Sequence, residues 1–220
     1  MLNLNRKLRI LAIGAHPDDI EIGCGGTLAK YAHLGHDVYL FISTDGAAGG
    51  DSKIRRQEQE ASKSILKAKE IVWGNFPDTQ ISICQTTINL VESVIRKINP
   101  DLIFINYNDD THQDHRHIAA ITISATRYIP NVLFYETPTT QNFQPHIFVD
   151  LEQRFFDLKI ELLNAHASQI NRTNILNMSI LDVARSAAHF RGVQARVQYA
   201  EAFQSVRLIV NIPDLHDSAL

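Results

Sequence analysis

The 220-residue chain contains only two cysteines, Cys24 and Cys84, and a single tryptophan. Two thiols outside any CxxC pair supply no disulfide framework, and they point towards a reducing compartment, so a cytoplasmic setting is the expectation. An excess of charge of one sign is also missing. The 21 Lys and Arg residues against 24 Asp and Glu leave a net charge of −3, without the basic excess that a nucleic-acid partner calls for. No stretch approaches the roughly 20 apolar residues needed to span a bilayer. The apolar run near the N-terminus is too short for a secretory leader and reads better as a first strand. Repeats and low-complexity tracts are absent, and nothing resembles a linker. One domain over residues 1–220 is therefore expected, long enough for a substantial core. The helical HExxH of common metalloproteases is absent too.

What the chain does contain is alternation. Four short apolar runs, Leu8–Ile13, Val38–Ser43, Leu102–Ile105 and Val132–Tyr135, fit strands covered on both faces. Between and after them lie helical patterns at Ile22–Leu34, Lys53–Lys69, Thr87–Ile98, His115–Tyr128, Phe155–Gln169 and Ile180–Phe190. In the second of these, Ile54, Ala61, Ile65 and Ala68 are spaced to share a face. The third stops just before Asn99-Pro100. The pattern predicts an α/β fold, a Rossmann-like three-layer sandwich with a mostly parallel sheet and helices on both faces. Ligands of such sheets bind beyond the carboxyl ends of the strands.

Two of those ends are crowded with polar residues. The first strand runs into Ala15-His16-Pro17-Asp18-Asp19-Ile20-Glu21. Pro17 stiffens the turn and biases His16 towards an extended backbone. Histidine nitrogen and aspartate oxygen are both ordinary zinc ligands, and a neighbouring carboxylate can act as a base. The plain alternative is that Asp18 or Asp19 only caps the next helix. Gly23, Gly25 and Gly26 come too late for the dinucleotide turn, which acids occupy here and where they would repel a pyrophosphate. These glycines are expected to let the helix approach the sheet. The second cluster, Asp109-Asp110-Thr111-His112-Gln113-Asp114-His115-Arg116-His117, follows the LIFI strand. His112 and His115 are three apart and would share a side of a helix start. One can bind metal while the other stays free for proton transfer, and Asp114 can orient one of the imidazoles. A solvated, acidic helix N-terminus is the alternative for this segment.

Together these residues resemble the LmbE-like, or PIG-L, deacetylase family: Ala15–Glu21 is similar to its AHPDDxE signature, and Asp110–His115 to its D-x-H-x-D-H motif. The likeness extends to Thr44-Asp45-Gly46, Arg55 with Glu58, Pro77-Asp78, and Lys159 with His166, Ser168 and Gln169. It continues through Arg191-Gly192 and Tyr199–Phe203, so that it covers most of the chain. The chain departs from the family at Gln113, where many members have proline, and near Arg196, where many have glycine.

The resemblance implies a zinc ion, with Fe²⁺ as the alternative, held by His16, Asp19 and His115. It implies Asp18 as general base, a protonated His112 as partner of the oxyanion and leaving amine, and Asp114 as support for His112. Arg55 and His166 would contact substrate. The implied reaction removes the acetyl group from an N-acetylglucosamine-type sugar or its conjugate, and a closed homo-oligomer, trimeric or hexameric, is implied as well. The apolar, strand-like stretch Val206–Ile212 is a second reason to expect such an assembly. A nucleotide-binding protein and an inactive metal- or sugar-binding module are the competing classes. Outside the motifs, His33, His36 and His216 are expected to be surface residues without a role, while His146 and His189 stay unassigned.

Overall fold

The computed structural model describes residues 6–173 and 175–209. Seven strands form one sheet in the order β3-β2-β1-β4-β5-β7-β6. The first five are β1 (Arg9–Gly14), β2 (Asp37–Ile42), β3 (Glu70–Trp73), β4 (Leu102–Asn106) and β5 (Val132–Tyr135), all parallel. The helices α1 (Asp19–His33), α2 (Ser52–Leu66), α3 (Gln85–Ile98) and α4 (Gln113–Ala125) connect them. The chain then adds β6 (Ile147–Asp150), α5 (Glu152–Asn164), α6 (Ile180–Ala195) and β7 (Ala200–Arg207). β7 is antiparallel to both β5 and β6.

Successive residues of β1 go to opposite faces. Ile10 and Ala12 pack with α1, α5 and α6, while Leu11 and Ile13 pack with α3 and α4. This two-sided burial explains why the central strands read as unbroken apolar runs. Gly23 lets α1 lie close to the sheet, since a Cβ there would meet the Tyr135 ring at 2.0 Å. Gly26 serves packing too, since a Cβ there would meet Leu151 at 2.8 Å, whereas at Gly25 the nearest atom is 3.4 Å away.

Three strands escaped the reading by apolar runs. β3 and β6 are the two edges of the sheet, only half-buried, and four residues long; an edge strand need not be apolar on both faces. β7 was expected from Val206 but begins at Ala200 and includes the buried Glu201. Of the strand-like stretch only Val206 and Arg207 belong to β7, an internal strand paired on both sides; its residues 210–212 lie outside the described segment, as does His216.

Helix α2 also departs from its pattern. Its buried residues are Arg55, Gln59, Ser62 and Leu66, whereas Ile54 is 48% exposed and Ala61 is exposed. Ile65 packs against the core and Ala68 is buried just past the helix, so the expected face holds in its second half, while nearer the start buried polar residues turn inward in place of Ile54 and Ala61. No described helix is long and apolar enough to cross a membrane.

Candidate metal centre and active-site cavity

The chain direction of the connections reverses between β1 and β4, the position where doubly wound sheets bind ligands. His16 and Asp19 follow β1, and His112 and His115 follow β4. Asn106, the last residue of β4, ties the two ends together. Its Oδ1 accepts the Ala15 N–H at 3.2 Å, and its Nδ2 reaches Asp19 Oδ2 at 3.5 Å.

Asp19 stands between the two outer histidines. Its Oδ1 is 3.2 Å from His115 Nε2 and its Oδ2 is 3.4 Å from His16 Nδ1. Each histidine is backed by carboxylate on its other nitrogen. His115 Nδ1 meets Asp110 Oδ2 at 3.1 Å, and His16 Nε2 meets Asp114 Oδ2 at 3.3 Å and Asp78 Oδ1 at 3.2 Å. A carboxylate behind a ligating imidazole fixes its orientation and raises its basicity.

Charge agrees with geometry. Burial opposes ionisation of Asp19, but His115 and His16 outweigh it and hold its carboxyl well below the usual range. In the same balance His16 and other polar neighbours bring Asp78 down to about 2, and His115 does so for Asp110. Asp114 is lowered as well, through His16 and the Thr79 N–H. Burial opposes charge on His16 and His115 too. Their carboxylate neighbours prevail, raising His16 well above normal and His115 to about 9. Four acids thus face two imidazolium charges, and a divalent cation that displaced those two protons would supply the same two positive charges at one point. Two nitrogens, an oxygen and three supporting carboxylates fit zinc or ferrous iron.

His112 lies beside this pair, its ring stacked on that of His115 at 4.8 Å. It is the N-cap of α4, and its Nδ1 accepts the Asp114 N–H at 3.2 Å. A neutral ring held this way carries its proton on Nε2. Burial, with the His16 and His115 charges, lowers its pKa, whereas a protonated ring is the expectation at this position. Asp114 is expected to support His112. Its carboxylate supports His16, and only its backbone N–H reaches His112.

Asp18 does not take the plain capping role. It is the N-cap of α1 but makes no side-chain capping bond. Burial raises its carboxyl to about 6, against the pull of Arg55 and His166. Its side chain lines a cavity of about 750 Å³ together with His16, Asp19, His112, His115, Arg55 and Asp78. Gln169, Asn171, Arg172 and Thr173 form part of its polar wall.

Of the two residues expected to contact substrate, Arg55 reaches the cavity, though it is also fastened to the scaffold. Its Nη1 donates to Gly46 O at 2.9 Å and its Nη2 to Pro17 O at 2.6 Å. His166 is not at the cavity. It is fully buried after the end of α5, 3.6 Å from Glu21 Oε2, and Gln169 lines the wall instead. His33 and His146 are exposed, His36 accepts the Leu8 N–H, and His189 packs on Tyr199; none of these lines the cavity. Asp78, Asn106, Asp110, Glu21 and Gln59 were given no role by reading the strand ends. Glu21, Asp110 and Asp78 lay in the resembling motifs, which was the available signal.

The fold and this cluster define an α/β protein with a histidine–aspartate centre of metal-binding type at the sheet's switch point. The chain belongs to the PIG-L family, described as GlcNAc-PI de-N-acetylase, whose sequence profile matches residues 11–126. It is 35% identical over 172 residues to the uncharacterized deacetylase YaiS of Escherichia coli, spanning 74% of this chain and 93% of that protein. It is 30% identical over 198 residues to the diacetylchitobiose deacetylase of Thermococcus kodakarensis, spanning 75% and 71%. The structure of the N,N'-diacetylchitobiose deacetylase from Pyrococcus horikoshii superposes with a TM-score of 0.80 at 26% identity, covering 97% and 89% of the two chains. Membership places the chain among enzymes that act on amides.

Proposed function

We propose that the protein is a zinc-dependent N-deacetylase of N-acetylglucosamine-type sugars or their conjugates, releasing acetate and a free amine. The observation that carries this reading is Asp19 between two carboxylate-backed histidines, with a second acid, Asp18, near neutrality on the same turn. A binding module needs ligands but no such base. His16, Asp19 and His115 would hold the ion, which when bound polarises the amide carbonyl and acidifies the attacking water.

The chain's own groups do the rest. Asp18, ionised above about pH 6, takes the proton of the water as it attacks. The N–H of His112 Nε2 hydrogen-bonds the developing oxyanion, and it does so without charge because Nδ1 is occupied by the Asp114 N–H. The protonated Asp18 then delivers its proton to the departing nitrogen. The polar wall at Arg55, Asp78 and Gln169 suits a sugar rich in hydroxyls.

Elemental analysis of protein purified without added metal, paired with acetate release from N-acetylglucosamine and diacetylchitobiose, tests the reading. About one divalent ion per chain and stoichiometric acetate are expected. Metal that stays substoichiometric after Zn²⁺ or Fe²⁺ is added, or metal-loaded protein that releases no acetate from a panel of N-acetyl amino-sugar conjugates, would overturn it.

A further inference from the structure

Asp18 has φ +94° and ψ −24°, a left-handed conformation that side-chain sterics disfavour for any residue but glycine. Something must hold it, and the hydrogen bonds show what does. The peptide between Pro17 and Asp18 is gripped at both ends by α2. Its carbonyl accepts from Arg55 Nη2 at 2.6 Å, and its N–H donates to Gln59 Oε1 at 3.4 Å. Arg55 and Gln59 are four residues apart, so one turn of a single helix reaches both atoms of one peptide plane.

The orientation of the Gln59 amide is itself determined. Its Nε2 donates to Glu21 Oε1 at 2.7 Å, and the same oxygen accepts from Ser62 Oγ at 2.7 Å. Gln59, Ser62 and Glu21 are all fully buried. A carboxylate oxygen that takes both an amide and a hydroxyl hydrogen at 2.7 Å is an acceptor in this network. The amide therefore turns its nitrogen to Glu21 and its oxygen to the Asp18 N–H. Reversing it would place two acceptors face to face and leave two donors pointing at one another.

We propose that Gln59 is a positioning residue for the base: oriented by Glu21, it pins the Pro17–Asp18 peptide so that Asp18 is held in its left-handed conformation and aimed into the cavity. This rests on the reading of Asp18 as the base. The conformation separates two adjacent acids. Asp19 turns back to accept the His16 N–H at 2.9 Å and to meet His115, while Asp18 is left free of capping bonds. Loss of the clamp should release the base without disturbing Asp19.

Two variants test this. Gln59→Met keeps length and packing but removes both hydrogen bonds. The paired exchange Glu21→Gln with Gln59→Glu restores an acceptor for Asp18 and a donor–acceptor contact across the pair. At full metal occupancy, Gln59→Met should lower kcat by about tenfold to a hundredfold, the scale of a misplacement near 1 Å. KM should change by no more than about twofold, since the residue touches no substrate. Metal content should be retained, and a crystal structure should show Asp18 leaving its positive φ. The paired exchange should recover most of kcat and the positive φ. Wild-type kcat in Gln59→Met with Asp18 unmoved would overturn the proposal. So would a folded paired exchange that recovers neither rate nor conformation, whereas a purely structural residue would lower Tm and leave kcat alone. If Gln59→Met turns over normally while Asp18→Asn is dead, the clamp fails and the deacetylase reading stands. If wild type releases no acetate, that reading fails, and the φ of Asp18 in the two variants decides the clamp.

Discussion

The carboxylate of Asp110 stands 3.1 Å behind Nδ1 of His115, so the opposite nitrogen of that ring is the one presented to Asp19. The same acid is itself fixed, accepting the hydroxyls of Thr137 and Thr140 at 3.0 Å and the His112 N–H at 2.8 Å. Asp110→Asn should therefore weaken metal affinity by about 10–100-fold, the usual worth of a carboxylate behind a ligating histidine. Asp114→Asn should do the same through His16. Chelator competition measures both. Unchanged affinity in Asp114→Asn, with turnover lost, would return that residue to the support of His112.

The two histidines of the second motif separate in the same assay. His115→Ala should lose metal. His112→Ala should keep it and lose about 10²–10³-fold in kcat, as when one oxyanion donor is removed. Elemental analysis beside the rate measurement decides, and the opposite pattern would mean that the roles are exchanged.

Asp18 gives a signature in pH. It acts as base only when ionised, so the rate should rise from acid with an apparent pKa of about 6. Asp18→Asn should retain metal, lower kcat by about 10²–10⁴-fold, and flatten that limb. Near-normal kcat at full occupancy would remove Asp18 from the mechanism.

The buried pair of Glu21 and His166 should appear in stability. Burial opposes the charge on His166, but Glu21 outweighs it and raises the pKa above 6.5. A raised value means that the charged ring stabilises the fold fully below pH 6.5, and that this contribution is lost as pH climbs through the folded-state value. His166→Leu should cost roughly 3 kcal/mol near pH 6, with the cost shrinking on the alkaline side. Denaturant titrations across pH check this, and a cost that grows with pH would contradict it.

Arg196 closes α6 with φ +64°, where glycine is the residue without a steric penalty. Arg196→Gly should stabilise by roughly 0.5–1 kcal/mol, the left-handed cost less the entropy glycine adds to the unfolded chain. Calorimetry should show Tm rising by a few degrees. A fall would show that the arginine side chain contributes more than its backbone costs.

The sequence by itself determined the central sheet and both turns that carry the proposed metal ligands. Leu8–Ile13 and Leu102–Ile105 have to be buried on both faces, and that requirement is written as unbroken apolar runs. His16, Asp19, His112 and His115 stand directly after them, so strand ends and chemistry were legible together. Local stiffness at Pro17 and the glycine spacing of α1 were legible for the same reason, since each acts within a few residues.

Only the tertiary structure decided what stands behind those residues. Asp114 sits one residue from His115 in the chain yet supports His16, 98 positions away. His166 pairs with Glu21 inside the protein although its motif pointed to substrate. The inward face of α2 carries Arg55, Gln59 and Ser62 and leaves Ile54 outside. Such partners contribute through desolvated hydrogen bonds and charge, which depend on distance in space and leave no hydrophobic period in the sequence. Hydrophobic burial repeats with the helix or the strand and can be read along the chain, whereas a buried polar network becomes visible only when the chain has folded around it.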